Sequence, residues 1–365
     1  MSEKQKKLGV AILGSGKAGK YHLYWYSKNK NCKIIGIYNR TKENAIESVD
    51  RYNAEYFDNW KELISKENVD IVSICTLPSF HYEQTVFSLK NCKNVLCEKP
   101  MAPTVGECSE MIRESKKRKK ILSIMFNMRL HPVILKTNEI IKEIGDIFHV
   151  YINFPYYRKN VSWRHLAGYG GGVLMENISH MIDLVGIWMK GKKIRYVSGE
   201  SFVVNKDREL DDQSLLIIRY EDNSLVSIYG SYNDFGFYSY DKEAIYGTIL
   251  GTKGKIVFIF NSYDKDFNYL YLIKDGKRQE IKIKTTDEID EIYPGHLDSF
   301  GKVINNFVES VLNEKSPIID AKDGLKTVEI INAAYLSEFK QRKIKFPLKD
   351  LKIKKFYFKH FKENL

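Results

Sequence analysis

The stretch VAILGSGKAGKYH, residues 10–22, constrains the fold more than any other part of the chain. An apolar run stops at a glycine, and Gly14, Gly16 and Gly19 follow in GxGxxG spacing as a helix-like segment opens. Glycines at these offsets let a strand turn tightly into a helix, expose bare backbone to a ligand, and let the helix lie close against the strand. The triplet is a weak signal alone and gains weight from its setting. From Leu8 to about Met128, short apolar runs (LGVAIL, KIIGIY, VDIVSIC, KNVLC, ILSIMF) alternate with polar segments of helical length (KYHLYWYSK, TKENAIESVDRY, HYEQTVFSLKN, TVGECSEMIRESKKRKK). Unbroken apolar runs suit parallel strands covered on both faces, and the intervening helices would cover them.

This pattern predicts an α/β fold whose first domain, residues 1–128, is a doubly wound Rossmann sheet that binds a dinucleotide. After NMRLHP the character changes. One helix (VILKTNEIIKEI) leads into Tyr-, Ile- and Val-rich runs such as IFHVYINF, SLLIIRY, LVSIYGSY, EAIYGTIL and GKIVFIF, parted by EDNS, TKGK and KDGKR turns. Residues 129–365 are expected to form a second α/β domain with a large open, mainly antiparallel sheet, closed by helices near 296–313 and 322–341.

Composition excludes several classes. Hydrophobic content of 43% and charged content of 28% are those of an ordinary globular chain, with no run of membrane-spanning length and no signal-like start, so a cytoplasmic location is expected. Five cysteines, Cys32, Cys75, Cys92, Cys97 and Cys108, lack paired CxxC spacing and read as reduced structural thiols. The formal charge of +12 and the SKKRKK run raise nucleic acid as a partner, yet no nucleic-acid motif accompanies them. A solvated helix end is the simpler reading. Neither nucleic acid nor a membrane is expected as a partner.

The glycine turn, Gly14–Ser15–Gly16–Lys17–Ala18–Gly19, would seat a pyrophosphate at a helix N-terminus. At the end of the second strand, where an acid would hold the ribose of NAD, the chain reads IYNRT. Neutral Asn39 followed by Arg40 removes repulsion of a 2′-phosphate and offers it a cation, which favours NADP(H). Alternatively, Asn39 bonds the ribose of NAD while Arg40 faces solvent. Thr76, Pro78 and His81 in CTLPSFH are candidates to line the nicotinamide half. In VLCEKP, Pro100 pushes Lys99 out of the helical region and fixes it at a strand end beside Glu98.

Further on, GGGVLMENISHMID places three glycines before a helix on which Glu176, His180 and Asp183 recur at spacings of four and three. The glycines would let backbone approach a ligand closely, and the spacing puts the polar residues on one helical face. That face can be a proton-transfer pair, half of a metal site or a satisfied polar stripe. No HExxH or cysteine set supports metal, and none is expected.

An N-terminal GxGxxG, a mid-chain EKP and a later GGGxLxExxxHxxD, with NMRLHP, ILGTKGKI and SPIIDAKDGLKTVEIINAAYLS around them, resemble the Gfo/Idh/MocA family of dinucleotide-dependent oxidoreductases over nearly the whole chain. The resemblance implies a Rossmann domain followed by an α/β domain whose open sheet often forms an oligomer interface, here a homodimer or homotetramer. It also implies that Lys99 polarises the reacting oxygen, that His180 is the general acid/base, and that Glu176 orients or tunes the histidine. Asp183 is expected to be structural. Glu176 stands where many relatives have aspartate, and Ile178 replaces a frequent glycine, narrowing what fits beside the helix.

Around that site Asn127, Arg129, Tyr157, Arg158, Trp163 and Arg164, with His180, are the expected substrate contacts. Tyr156, Lys159 and His165 belong to the same PYYRKNVSWRH stretch, for which a partly ordered surface loop is the alternative, and His296 is a lesser candidate. Aromatic platforms mixed with cations suit a sugar ring carrying an anionic handle. The expected activity is hydride transfer between a nicotinamide and a hydroxyl or ketone carbon of a sugar, sugar nucleotide or cyclic polyol. Redox-neutral glycoside cleavage on the same scaffold and non-catalytic dinucleotide sensing are the alternatives.

Overall fold

The computed structural model describes residues 7–234, 244–261, 268–283 and 297–348. They fall into two units. The first comprises the chain through Ala102, Gly106–Asn127 and Leu297–Leu325, and the second comprises the rest.

The first unit opens with β1 (Leu8–Leu13), α1 (Lys17–Lys28), β2 (Cys32–Tyr38), α2 (Glu43–Tyr52), β3 (Glu55–Phe57) and α3 (Trp60–Ser65). It continues with β4 (Ile71–Ile74), α4 (Pro78–Lys90), β5 (Asn94–Cys97), α5 (Val105–Arg118) and β6 (Leu122–Ile124). The six strands are parallel in the order β3-β2-β1-β4-β5-β6. Every residue of β4 and β5 is buried, as their unbroken apolar character requires. Strand order reverses beside β1, which is where doubly wound sheets bind ligands at their carboxyl ends. Sequence periodicity missed β3 and α3, which are too short to show a period. α3 nonetheless carries a readable start: Asn59 caps it by accepting the Lys61 N–H at 3.0 Å.

The second unit contains α6 (Pro132–Ile140), β7 (Ile147–Pro155), α7 (Ser179–Trp188), β8 (Ile194–Phe202), β9 (Gln213–Tyr220) and β10 (Leu225–Ser231). After these come β11 (Ile245–Gly251), β12 (Gly254–Phe260), β13 (Tyr269–Lys274) and β14 (Lys277–Glu280). The chain then passes through α8 (Leu297–Leu312), which lies in the first unit, before α9 (Ala321–Lys340) and β15 (Ile344–Lys345). The nine-stranded sheet runs β14-β13-β12-β11-β7-β10-β9-β8-β15 and is antiparallel except where β10 lies parallel to β7. Val150, Ile152, Ile228, Ile249 and Phe258 on one face pack with Met181, Ile182 and Val185 of α7 in a single core. Each such side chain contributes about 1.5–3 kcal/mol on burial. On the other face Leu215, Tyr229, Asn153, Tyr246, Ile259 and Tyr269 stand in one cross-strand row.

One helix departs from expectation. α8, expected to close the C-terminal domain, belongs to the first unit, where Phe300 meets the Tyr21 ring at 5.1 Å and a Cβ on Gly301 would crowd the Trp25 indole. The loop after it is tied to β6 by Ser123, whose hydroxyl donates to the Ile319 carbonyl at 2.6 Å. SKKRKK forms the last turn of α5 and its exit, with Arg118 paired to Glu114 at 2.7 Å. No described helix is long and apolar enough to cross a membrane.

Candidate active site

In the first unit, β1 ends at Gly14, whose φ of +94° favours glycine and whose Cβ would collide with the Cys75 carbonyl. Gly19 is required by close approach, since a Cβ there would strike the Gly14 carbonyl. Gly16 differs: a Cβ there would meet nothing within 4 Å. Protein packing therefore leaves open the space in front of α1, which Gly16 caps with no side-chain hydrogen bond and with no acid in the first turn. Exposed Lys17 and partly covered Ala18 continue that edge. An anionic pyrophosphate fits this cradle.

Asn39 is committed locally: its Oδ1 accepts the Ser15 N–H at 3.3 Å and its Nδ2 donates to the Thr41 carbonyl at 2.7 Å. Ser15 is itself buried, its hydroxyl donating to the Asn44 carbonyl at 3.1 Å. Arg40 is exposed and forms no ion pair among the described residues.

The carboxyl ends of β4 and β5 hold the next group. Thr76 donates its hydroxyl to Gln84 at 2.6 Å, and Pro78 is the first residue of α4. His81 is buried, with its ring nitrogens 2.9 Å from the Pro100 carbonyl and 3.1 Å from the Thr76 carbonyl. It thus joins the loop after β4 to the loop after β5. Burial holds its pKa below the usual histidine value. Glu98 is also buried: one oxygen lies 3.0 Å from His22 Nε2, and the other accepts the Lys99 N–H at 3.2 Å. Lys99 itself is half-buried. Buried Asn127 donates to Ser299 at 3.3 Å. Sequence reading passed over His22, which shows only as one more residue of an amphipathic helix.

In the second unit, two of the three mid-chain glycines serve other protein groups. A Cβ on Gly171 would strike the Arg164 carbonyl, and one on Gly172, at φ +96°, would strike the Asp211 carboxylate. The close approach expected for a ligand is at these positions an approach of Arg164 and Asp211. Asp211 then starts the helix: Leu174 N–H donates to its Oδ2 at 2.9 Å and Val173 N–H to its carbonyl at 2.9 Å, while Tyr335 donates to Oδ1 at 2.7 Å. Burial pushes the Asp211 carboxyl up to about 7 against these donors.

The helix itself is not the regular one expected. Leu174–Ile178 is a π-turn, with α7 following from Ser179. Its wider i→i+5 winding breaks the simple four-and-three face on which Glu176, His180 and Asp183 were placed. Ile178 points into the core and not into a ligand space: it is fully buried, and a Cβ on facing Gly230 would come within 2.8 Å of it. His180 is buried in the first turn of α7.

Glu176 gathers the surrounding loop. Arg164 Nε donates to its Oε1 at 2.7 Å, the Tyr232 hydroxyl donates to its Oε2 at 2.6 Å, and Arg158 stands 3.7 Å away. Burial opposes the Arg164 charge, but Glu176 outweighs it and raises the guanidinium pKa. Burial, and then the Glu176 charge, hold the Tyr232 phenol well above its ordinary value. Arg158 lies over the Tyr156 ring at 4.0 Å and Arg164 over Trp163 at 4.4 Å. Tyr157 bridges to Asn233, and Lys159 is exposed.

His165 accepts the Ser162 N–H at Nδ1, 2.9 Å away, and burial together with Arg208 and Arg158 lowers its pKa to about 4, so it is neutral near pH 7. Arg208, which sequence reading missed, is buried against Asp212 at 3.0 Å and donates to the Arg158 carbonyl. Arg129 meets Asp183 through two hydrogen bonds of 2.6 Å each, a buried fork that accounts for Asp183 structurally. His296 lies outside the described residues. Among the described residues no group of three or more His, Cys, Asp or Glu could hold a metal ion.

A parallel six-stranded sheet with an open glycine turn at its switch point, followed in the chain by a large mixed sheet, has the architecture of a dinucleotide-binding Rossmann protein. The chain belongs to the Gfo/Idh/MocA oxidoreductase family: residues 8–126 match its NAD-binding Rossmann fold and residues 138–346 its C-terminal alpha/beta domain. It is an enzyme of the dehydrogenase type. Glucose-6-phosphate 3-dehydrogenase of Bacillus subtilis is 27% identical over 89% of this chain and 94% of that protein. Myo-inositol 2-dehydrogenase of Thermotoga maritima is 22% identical over 92% of this chain and 98% of its own. Among solved structures, a levoglucosan dehydrogenase in complex with NADH superposes with a TM-score of 0.81 at 21% identity, covering 94% of this chain and 100% of that one.

Proposed function

We propose that the chain transfers a hydride between NADP(H) and a secondary alcohol or ketone carbon of a sugar, sugar nucleotide or cyclic polyol. The observation that carries this reading is the placing of Lys99. It is half-buried at the carboxyl end of β5, on the same edge of the parallel sheet as the open glycine turn, with its backbone held by Glu98. An ammonium there is suited to the oxygen of a substrate reacting at the nicotinamide end of a dinucleotide.

The nicotinamide, when bound, accepts or supplies the hydride. Gly14, Gly16 and Gly19 shape the pyrophosphate seat, with Ser15, Lys17 and Ala18 along it. Arg40, an exposed cation beside neutral Asn39, supports preference for a 2′-phosphate. Thr76, Pro78, His81 and Glu98 shape the nicotinamide end. Lys99 stabilises the alkoxide that develops as the hydroxyl proton leaves, and His180 takes or returns that proton. Glu176 sets the electrostatics near the histidine through Arg164, Arg158 and Tyr232. With Tyr157 and Trp163, these arginines suit a polar, ring-shaped substrate, and the sugar and inositol names of the two relatives support that class. Asn127 and Arg129 complete the proposed substrate set. The aromatic outer row of the nine-stranded sheet supports homo-oligomerisation, as a dimer or tetramer, through that face.

Fluorescence titration with NADH and NADPH, with and without a panel of sugars, sugar phosphates and sugar nucleotides, tests the cofactor and narrows the substrate together. On the substrate so found, Lys99→Ala and His180→Ala are expected to abolish turnover while dinucleotide binding survives. Near-normal turnover in either variant rejects the role given to that residue, and no binding of either cofactor rejects the redox reading.

A further inference from the structure

We infer that His22, acting through Glu98, is a positioning residue for Lys99. This rests on the reading of Lys99 as the group that polarises the reacting oxygen. His22 lies on α1, three residues past the last glycine of the dinucleotide turn, and its side chain is fully buried. Its Nδ1 is 2.6 Å from the Ser73 hydroxyl on β4, and its Nε2 is 3.0 Å from Glu98 Oε1 at the end of β5.

With a proton on Nε2 the imidazole donates to Glu98, Nδ1 pairs with the Ser73 hydroxyl, and Glu98 Oε2 accepts the Lys99 N–H at 3.2 Å. The Phe300 ring stands edge-on to His22 at 5.9 Å, 75° between planes, and helps to exclude water from the network.

A single buried carboxylate therefore touches both an imidazole on the dinucleotide helix and the backbone of the lysine. Its oxygens differ in what fixes them. The bond to Lys99 is between neighbours in sequence and leaves the carboxylate free to swing, whereas the bond from His22 comes from a different element and holds it in place. Without that donor the carboxylate is left buried and short of a partner, so it rotates, and the Lys99 N–H loses its fixed acceptor. A shift in the backbone at residue 99 passes along the side chain to the ammonium. The Ser73 hydroxyl can donate to Nδ1 or accept from it, so the link to Glu98 needs only a proton on Nε2.

The test uses the full chain with His22→Leu and His22→Gln. Leucine removes both ring nitrogens, while glutamine places an amide N–H near the position of Nε2 and keeps the donor to Glu98. His22→Leu is expected to bind dinucleotide as the parent does. Its kcat should fall on the order of 10- to 100-fold with KM little changed, since small displacements of a reacting group carry losses of that size. The primary deuterium isotope effect on kcat should rise, and the Lys99 amide proton should exchange faster. His22→Gln should recover both turnover and amide protection.

Unchanged kcat and amide exchange in His22→Leu, or equal impairment of both variants, overturns the proposal. So does a lower melting temperature with kcat per folded enzyme and Lys99 exchange intact, which leaves His22 as a core residue alone. Should the parent turn over no sugar, the redox reading fails separately, and Lys99 amide exchange still decides whether His22 holds that backbone.

Discussion

Arg40 is an exposed cation next to an amide already bonded to Ser15 and Thr41, so its charge can be removed without disturbing those bonds. Removing one charge-assisted hydrogen bond to a phosphate costs on the order of tenfold or more in affinity, so Arg40→Ala should weaken NADPH by that much and leave NADH nearly unchanged. Equal loss for both cofactors in a fluorescence titration would refute the 2′-phosphate contact. Arg129 and Asp183 form the opposite kind of site, a buried fork with side chains 10% and 1% exposed. Leaving one charge of such a pair unpaired costs about 3–5 kcal/mol, and urea unfolding of Asp183→Ala should register a loss of that size. A change under ~1 kcal/mol would show that the pair is dispensable, as most exposed pairs are. Lys99, His180 and Glu176, the residues proposed for the chemistry, each sit in a short local pattern that sequence reading can pick out. The partners of Glu176 do not, since Tyr232 is 56 residues away and carries no motif.

The π-turn at Leu174–Ile178 shows how an element can be half-read. Glycines before a polar-and-apolar helix announce its start, but the winding of its first turn depends on Asp211, 37 residues from the Leu174 N–H that it accepts. Asp211 also gives the element a pH signature. Its folded pKa of about 7 lies above the 3.8 of a free aspartate, so the folded chain holds that proton more tightly than the unfolded one. Stability from this group is therefore fully present below about pH 4 and declines as pH rises to about 7. The Asp211→Asn variant should remove that slope. Calorimetry from pH 5 to pH 8 should find the parent losing melting temperature relative to the variant as pH rises. A parallel pair of curves would mean that the two donors keep the carboxylate ionised throughout. α3 and β3 are the simpler omissions: at six and three residues they are shorter than the window a period needs.

At the scale of the whole molecule, the outward row Leu215, Tyr229, Asn153, Tyr246, Ile259 and Tyr269 is more apolar and aromatic than a solvated sheet face normally is. The parent chain should sediment as a dimer or tetramer, and Tyr151→Glu combined with Leu215→Glu, both on that face, should release monomers. A monomeric parent in analytical ultracentrifugation removes the oligomer proposal. The sequence by itself determined the parallel sheet, the dinucleotide turn and the antiparallel character of the second sheet. Each of these follows from local chemistry: unbroken or alternating apolar runs, glycines at fixed offsets, and turn residues between strands. Tertiary structure alone decided that α8 packs with the first unit, that Glu176 collects two arginines and a tyrosine, and that His22 meets Glu98 across 76 residues. Those contacts join segments far apart in the chain, and a local periodicity records which face of an element is buried without recording what it is buried against.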